Sequence, residues 1–321
     1  MCLHKVVGIG VVAAILTFVG CTQKMPVNTP RPPQNGDDSL PTPPPVVFPI
    51  HHNSPAWSRA GEVVYEDMGY VYVDSSGTAV SDTSLVGLWV VSPQSHQKRR
   101  LYPRGKVPTW SPSGNQLAFF GNGIEILDVE NGSVHTIASV GFFPSWSQDG
   151  EYIAFDSGAG SAGEEIWVVQ VDGTDQRKIG EPGRMPSWLL GDTAILCVRT
   201  DGGAFQREIY RIDVHGGEWS RITSSGGDKR QPKCSPDGSL IAFSCQHLNG
   251  SPQLFVVSTS GQGETRYTED GGCSPSWSPD GTEIVFTRCS NANGSGDGVL
   301  WILNTFSGQV TQLTQKWTEQ K

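Results

Sequence analysis

Between residues 55 and 281 the chain spells out six variants of Pro-x-Trp-Ser-Pro-Asp-Gly, each followed by a short Ile-Ala-Phe-like run. The cleanest copy is Pro275, Ser276, Trp277, Ser278, Pro279, Asp280 and Gly281, then Ile284, Val285 and Phe286. A unit recurring at this length is one supersecondary module used repeatedly, so the chain folds as an array of modules. The tryptophan slot is filled by Trp57, Trp110, Trp146, Trp188, Cys234 and Trp277, at separations of 53, 36, 42, 46 and 43 residues. Constant strands joined by loops of variable length produce that scatter.

Each unit carries a second apolar run, at residues 88–91, 124–127, 166–169, 209–212, 254–257 and 300–303, and then a shorter closing run such as 177–179, 221–223 or 312–314. These runs are rich in β-branched and aromatic residues and are bounded by Gly, Asn and Asp, so they read as strands. No long stretch with helical period appears after residue 50. Four short strands in each of six units predict an all-β fold, a six-bladed β-propeller with four-stranded blades.

The motif's chemistry agrees. Proline presets φ, aspartate caps its own turn and glycine accepts positive φ, so Pro-Asp-Gly joins the first strand of a unit to the second as a tight hairpin. The proline ahead of the tryptophan cannot donate to a ladder and belongs at a strand start or an unpaired position. Trp57, Trp110, Trp146, Trp188 and Trp277 are assigned to structure, as wedges between neighbouring sheets.

The first fifty residues differ from the rest. Residues 1–20 carry Lys5 and then a nearly unbroken apolar run, short for a membrane span and suited to a signal peptide. Phe18, Val19, Gly20 and Cys21 resemble a bacterial lipobox, which implies that Cys21 is the lipidated first residue of the mature chain; an uncleaved N-terminal anchor is the alternative. Thr22 after it favours the outer membrane of a Gram-negative cell. Residues 21–50, with nine prolines from residue 25 on, are expected to be a disordered tether, extended at about 3.1 Å per residue where polyproline-like. The propeller is expected over 51–316 and a tail over 317–321. Partners are thus the membrane, through the lipid, and other molecules outside the cytoplasm.

With a net charge of −9 at pH 7, nucleic acid is not expected as a partner. Beyond Cys21, five cysteines remain: Cys197, Cys234, Cys245, Cys273 and Cys289. Folding the sixth hairpin about Asp280 and Gly281 brings Cys273 near the level of Cys289, a possible disulfide in an oxidising compartment. Small buried apolar side chains are the equal alternative.

The hairpin motif, the strand of Ile166, Trp167, Val168 and Val169, and the closing strand with Arg221, Ile222 and Thr223 resemble the repeat of TolB-type β-propellers. The resemblance spans roughly residues 54–315, with units at Trp57 and Trp188 as its degenerate copies. It implies the propeller fold and, by analogy, a protein-binding scaffold with an envelope-integrity role of the Tol–Pal kind. The family's namesake is a soluble periplasmic protein with an α/β domain ahead of the propeller, whose mouth binds the peptidoglycan-associated lipoprotein. Here a lipid anchor and a tether are expected in place of that domain. The implied partner is an envelope protein such as a peptidoglycan-associated lipoprotein, and the chain is expected to be a monomer.

In a propeller the starts of all first strands converge on one channel mouth. Arg104, Lys106, Arg184, Lys229 and Arg230 precede the repeat prolines and form a candidate partner-binding rim for an anionic partner. Enzyme signatures are thin. Gly158, Gly160 and Gly163 match a dinucleotide fingerprint but lead into a strand instead of a helix. No Gly-x-Ser-x-Gly, His-Glu-x-x-His or Cys-x-x-Cys occurs. No catalytic residue, metal or cofactor is expected. The alternative is an enzyme, a metal-dependent lyase or hydrolase on a small anionic or sugar substrate, with its site in the channel mouth.

Overall fold

The computed structural model describes residues 47–49, 52–73, 79–158, 164–202, 206–247, 250–289 and 296–314. Residues Pro44–Lys321 form one compact unit. The signal peptide, Cys21, nearly all of the tether and the tail over 317–321 lie outside the described residues. All regular structure among the described residues is β-strand, and none is a helix long and apolar enough to cross a membrane.

The third repeat shows the common plan: Phe142–Trp146, Tyr152–Asp156, Ile166–Gln170 and Arg177–Gly180 pair in that order, all antiparallel. Its first, inner strand ends in the tryptophan, and the hairpin chemistry then closes the turn. Ser147 Oγ donates to Asp149 Oδ1 at 2.5 Å and accepts the Tyr152 amide at 2.9 Å, while Asp149 accepts the Glu151 amide at 2.9 Å. Gly150 supplies the positive φ of 77° that closes the turn. The same bonds recur at Ser235 with Asp237 and at Ser278 with Asp280. In the fourth repeat the order is Gly191, Asp192, and the Asp192 carboxylate reaches back to accept the amides of Gln148 and Asp149 at 2.8 and 3.0 Å.

Three of the tryptophans bond the repeat before their own, whereas Nε1 of Trp57 and Trp110 makes no such bond. Nε1 of Trp146, Trp188 and Trp277 donates to the backbone carbonyl of Thr109, Ser145 and Lys233 respectively, at 3.0–3.1 Å. Each acceptor lies one residue before the slot in the preceding repeat. A hydrophobic cluster fills every junction, for example Trp188 with Ala154, Ile166, Val168 and Ile195 between the third and fourth repeats. The last junction returns to the first: Val285, Leu300, Ile302 and Leu313 pack with Val63, Tyr65 and Val91. Inner strand Cys273–Trp277 contacts inner strand His52–Trp57, the Trp57 amide donates to Ser276 Oγ at 3.1 Å, and His96 Nδ1 lies 3.0 Å from the Leu313 carbonyl. Whole repeats meet at this seam. Val47–Pro49, expected to belong to the disordered tether over 21–50, pairs with Tyr70–Val73, beside Ala79–Asp82, in a small sheet inserted in the first repeat.

This is an all-β propeller, and its pairing differs in one respect from six separate blades. Four repeats stand as self-contained four-stranded sheets, whereas the fourth and fifth share one eight-stranded sheet. The link is a parallel pairing of Arg207 with Asp228, backed by an Arg207–Asp228 ion pair at 3.0 Å. Beside it the fully buried Lys229 meets Glu208 at 3.0 Å. Cys234 stands in the tryptophan slot here and offers no indole to the fourth repeat. A buried polar network takes over the clamping at this junction.

Candidate functional site

The inner strands line a central channel of about 530 Å³. In every repeat the residue before the strand proline has left-handed backbone: Ser54, Val107, Phe143, Met185, Gln231 and Ser274, with φ between 50° and 54°. Each sits in a β-bulge, as where Lys106 pairs with Phe120 and Thr109 with Ala118, leaving two residues opposite one. None of the six is glycine, and pre-proline residues favour extended backbone, so each bulge holds strain of about 1–3 kcal/mol. The surrounding ring holds it in place. Glu66 Oε2 accepts the Val107 amide at 3.4 Å and Asp156 Oδ2 accepts the Met185 amide at 2.8 Å, each across a junction. Gln231 Oε1 does the same for Ser274 at 3.1 Å.

Glu66 and Asp156 are buried, as is Asp67. Burial raises Glu66 to about 7, reinforced by Asp67 and opposed by Lys106 and the Val107 amide. Burial raises Asp67 to about 6 against the Gly69 amide, Lys98 and Arg100. Asp156 rises to about 6 for the same first reason, against the Met185 amide, Arg184 and the Gly158 amide. A carboxyl whose proton is held more tightly when folded contributes stability that is complete below about pH 4 and lost as pH rises through its folded pKa. Glu66 alone, moved from 4.5 to about 7, corresponds to about 3 kcal/mol. The urea midpoint is therefore expected to be lower at pH 8 than at pH 5, and Glu66→Gln to flatten that slope. A midpoint that rises over this interval contradicts the assignment.

The five rim cations do not form one set. Lys106, Arg184 and Arg230 are equivalent, opposite Phe120, Val198 and Ser244 on their second strands. Arg184 stands 3.6 Å from Glu164, and Arg230 makes 2.7 and 2.9 Å bonds to Asp228. Arg104 lies off this level and grips Glu125 with both Nη atoms at 2.5 and 2.9 Å. Lys106 has no ion pair within 4 Å among the described residues and is exposed. Lys229 is sealed in the junction and presents nothing to the mouth. Phe120 and Phe142, with ring centroids 4.3 Å apart, add an aromatic edge between the second and third repeats.

Trp110, Trp146, Trp188 and Trp277 are buried and Trp57 partly so. Cys273 and Cys289 form a disulfide with Cα atoms 6.0 Å apart, and Cys197, Cys234 and Cys245 are free. Among the described residues no group of three or more His, Cys, Asp or Glu side chains is placed to hold a metal. One channel residue escaped the sequence reading. Lys233 lies one position before the tryptophan slot, where the other repeats have Ala56, Thr109, Ser145, Ser187 and Ser276. Superimposing the repeats exposes it as the outlier.

Residues 144–321 match the family model described as the TolB beta propeller domain. The chain is 36% identical over 139 residues to the Tol-Pal system protein TolB of Desulfosudis oleivorans, covering 43% of this chain and 29% of that protein. It is 27% identical over 193 residues to the uncharacterized peptidase YuxL of Bacillus subtilis, covering 54% of this chain and 27% of the relative. The chain thus spans less than a third of the length of these curated relatives. Among solved structures, a putative TolB from Agrobacterium tumefaciens is similar with a TM-score of 0.63 at 20% identity, over 70% of this chain and 87% of that one. An oligogalacturonate lyase in complex with manganese shares the fold with a TM-score of 0.54 at 11% identity, over 86% of this chain and 80% of its own.

Proposed function

Because the chain belongs to the TolB β-propeller domain family, we propose that it is a non-enzymatic binding module of the cell envelope that docks a partner protein at the channel mouth. In this reading the propeller is six-bladed, counting the two halves of the shared sheet separately, since each repeat supplies its own inner strand. Cys21 carries the lipid, the proline-rich residues ahead of the Val47–Pro49 strand hold the propeller off the bilayer, and the chain works outside the cytoplasm. The partner is an envelope protein, such as a peptidoglycan-associated lipoprotein, in keeping with the relative that bears the Tol-Pal name.

The observation that carries the reading is the mouth itself. Its strained bulges are cross-braced by Glu66, Asp156 and Gln231 from neighbouring repeats, and a surface rigid before contact loses less entropy on binding. Of the rim, Lys106, Arg184 and Arg230 share the level that faces a docking protein. Held by carboxylates, the arginines contribute orientation and hydrogen bonds more than bare charge.

The test is recovery of partners from the cell envelope with detergent-solubilised protein, comparing the native chain with Arg184→Ala/Arg230→Ala. A specific envelope protein retained by the native chain and lost at least about tenfold in the double variant, which removes two charge-assisted contacts, is the expected result. Equal recovery by both proteins rejects the mouth as the docking surface. Turnover of an acidic sugar or peptide by the purified chain rejects the non-enzymatic assignment.

A further inference from the structure

We infer that the interior of the central channel is a binding site for a small oxyanion, a carboxylate or phosphate group, seated on the ammonium of Lys233. The site lies deeper than the mouth, and the inference does not rest on protein docking there.

Charge is the first support. The protein carries −9 overall, yet the residues lining the channel include no aspartate or glutamate and two cations, Arg59 and Lys233. An acidic protein that keeps carboxylates out of the wall of its central channel has left that channel with the opposite sign to its surface. Arg59 lies past the tryptophan slot, on the hairpin side, and Lys233 lies further in on the inner strand of the fifth repeat.

Lys233 lacks a counter-ion within 4 Å among the described residues, while the neighbouring Lys229 and Arg230 both have one. Desolvation lowers Lys233 to about 8, with no charged group opposing it. The ammonium therefore remains largely protonated at neutral pH and stands half-buried in the channel wall, where an anion is bound more strongly than in open water.

The surrounding wall supplies donors at the same height. Lys233 pairs with Ala242 in register, and Thr109, Ser145, Ser187 and Ser276 pair with Ala118, Ala154, Leu196 and Val285, the equivalent positions. Four hydroxyl residues thus stand on the ring that holds the single ammonium. Ser145 Oγ accepts the Trp188 amide at 3.3 Å and Ser276 Oγ accepts the Trp57 amide at 3.1 Å. Each keeps its hydroxyl proton to donate. One ammonium with several hydroxyl donors and no competing carboxylate suits an oxyanion. At about 530 Å³ the channel is of the size that takes small organic ligands.

The experiment measures binding of inorganic phosphate and, separately, of succinate to the purified full chain, by calorimetry and by tryptophan fluorescence. Saturable binding of at least one is expected, weakened about tenfold or more in Lys233→Met and retained in Lys233→Arg. Preference for succinate marks a carboxylate solute as the natural ligand, and preference for phosphate marks a phosphorylated one. A second measurement uses the native chain alone: amine-reactive labelling of Lys233, read by peptide mass spectrometry, is expected to slow at least fivefold in the anion that binds. Absence of binding by both anions, equal affinity in Lys233→Met, or unprotected labelling overturns the inference.

Discussion

Replacing Trp188 by alanine is expected to cost about 3–5 kcal/mol, the range for a large aromatic removed from a packed core. The indole is buried among Ala154, Ile166, Val168, Ile195 and Cys197, side chains from two successive repeats. Its Nε1 also donates to the Ser145 carbonyl at 3.0 Å, so truncation leaves a cavity and an unmet acceptor together. Trp188→Phe keeps most of the apolar volume and loses the bond, and is expected to cost about 1–2 kcal/mol less than the alanine variant. Urea unfolding of the three proteins measures this. An alanine variant within about 1 kcal/mol of the native chain would mean that the repeats are not locked by their tryptophans.

Lys229→Met is expected to destabilise by a similar amount, about 3–5 kcal/mol, for a different reason. Lys229 is fully buried, bonds Glu208 at 3.0 Å and donates to the Gly226 carbonyl at 2.5 Å. Burial works to raise the Glu208 pKa, but bonds from Thr223, Lys229 and the Gly226 amide outweigh it and hold the carboxyl below its ordinary value. Removing the ammonium leaves the buried Glu208 carboxylate in the junction between the fourth and fifth repeats with the exposed Arg221, 3.3 Å away, as its remaining cation. Adding Glu208→Gln removes that charge, so the double variant should recover much of the loss. A destabilisation that is additive, with no recovery, would show that packing volume and not charge pairing dominates here.

The two junctions differ because one residue differs. Where Trp188 stands, an indole reaches back to the previous repeat; where Cys234 stands, no such reach exists. The ion pairs of Lys229 and Arg207 fill that role and draw the two repeats into one sheet. Cys234 in the slot was visible in the repeat alignment, but its compensation was not. Glu208 and Lys229 are 21 positions apart with no pattern linking them, and only the folded ring brings them together.

The candidate site divides in the same way. Lys106, Arg184 and Arg230 each stand two residues before a repeat proline, a common spacing that the five-residue rim expectation did not separate from Arg104 and Lys229. Lys229, one residue before Arg230, faces the other way, as strand alternation requires, and so is buried. The bulges had no sequence signal: Val107, Phe143 and Met185 are residue types that avoid positive φ, and the ring imposes it on them.

Local chemistry therefore determined much of this protein before any folding was considered. Ser-x-Asp-Gly turns, alternating strand residues and tryptophans at a fixed offset specify the module and its repetition, because turn and strand preferences act within a few residues. What the modules do to one another was decided only in three dimensions. Which carboxylates are buried, which cations are neutralised, where the backbone is strained and that Lys233 lines a channel without acidic residues all depend on which repeat packs beside which. These are long-range consequences of desolvation and packing, and a linear pattern does not encode them.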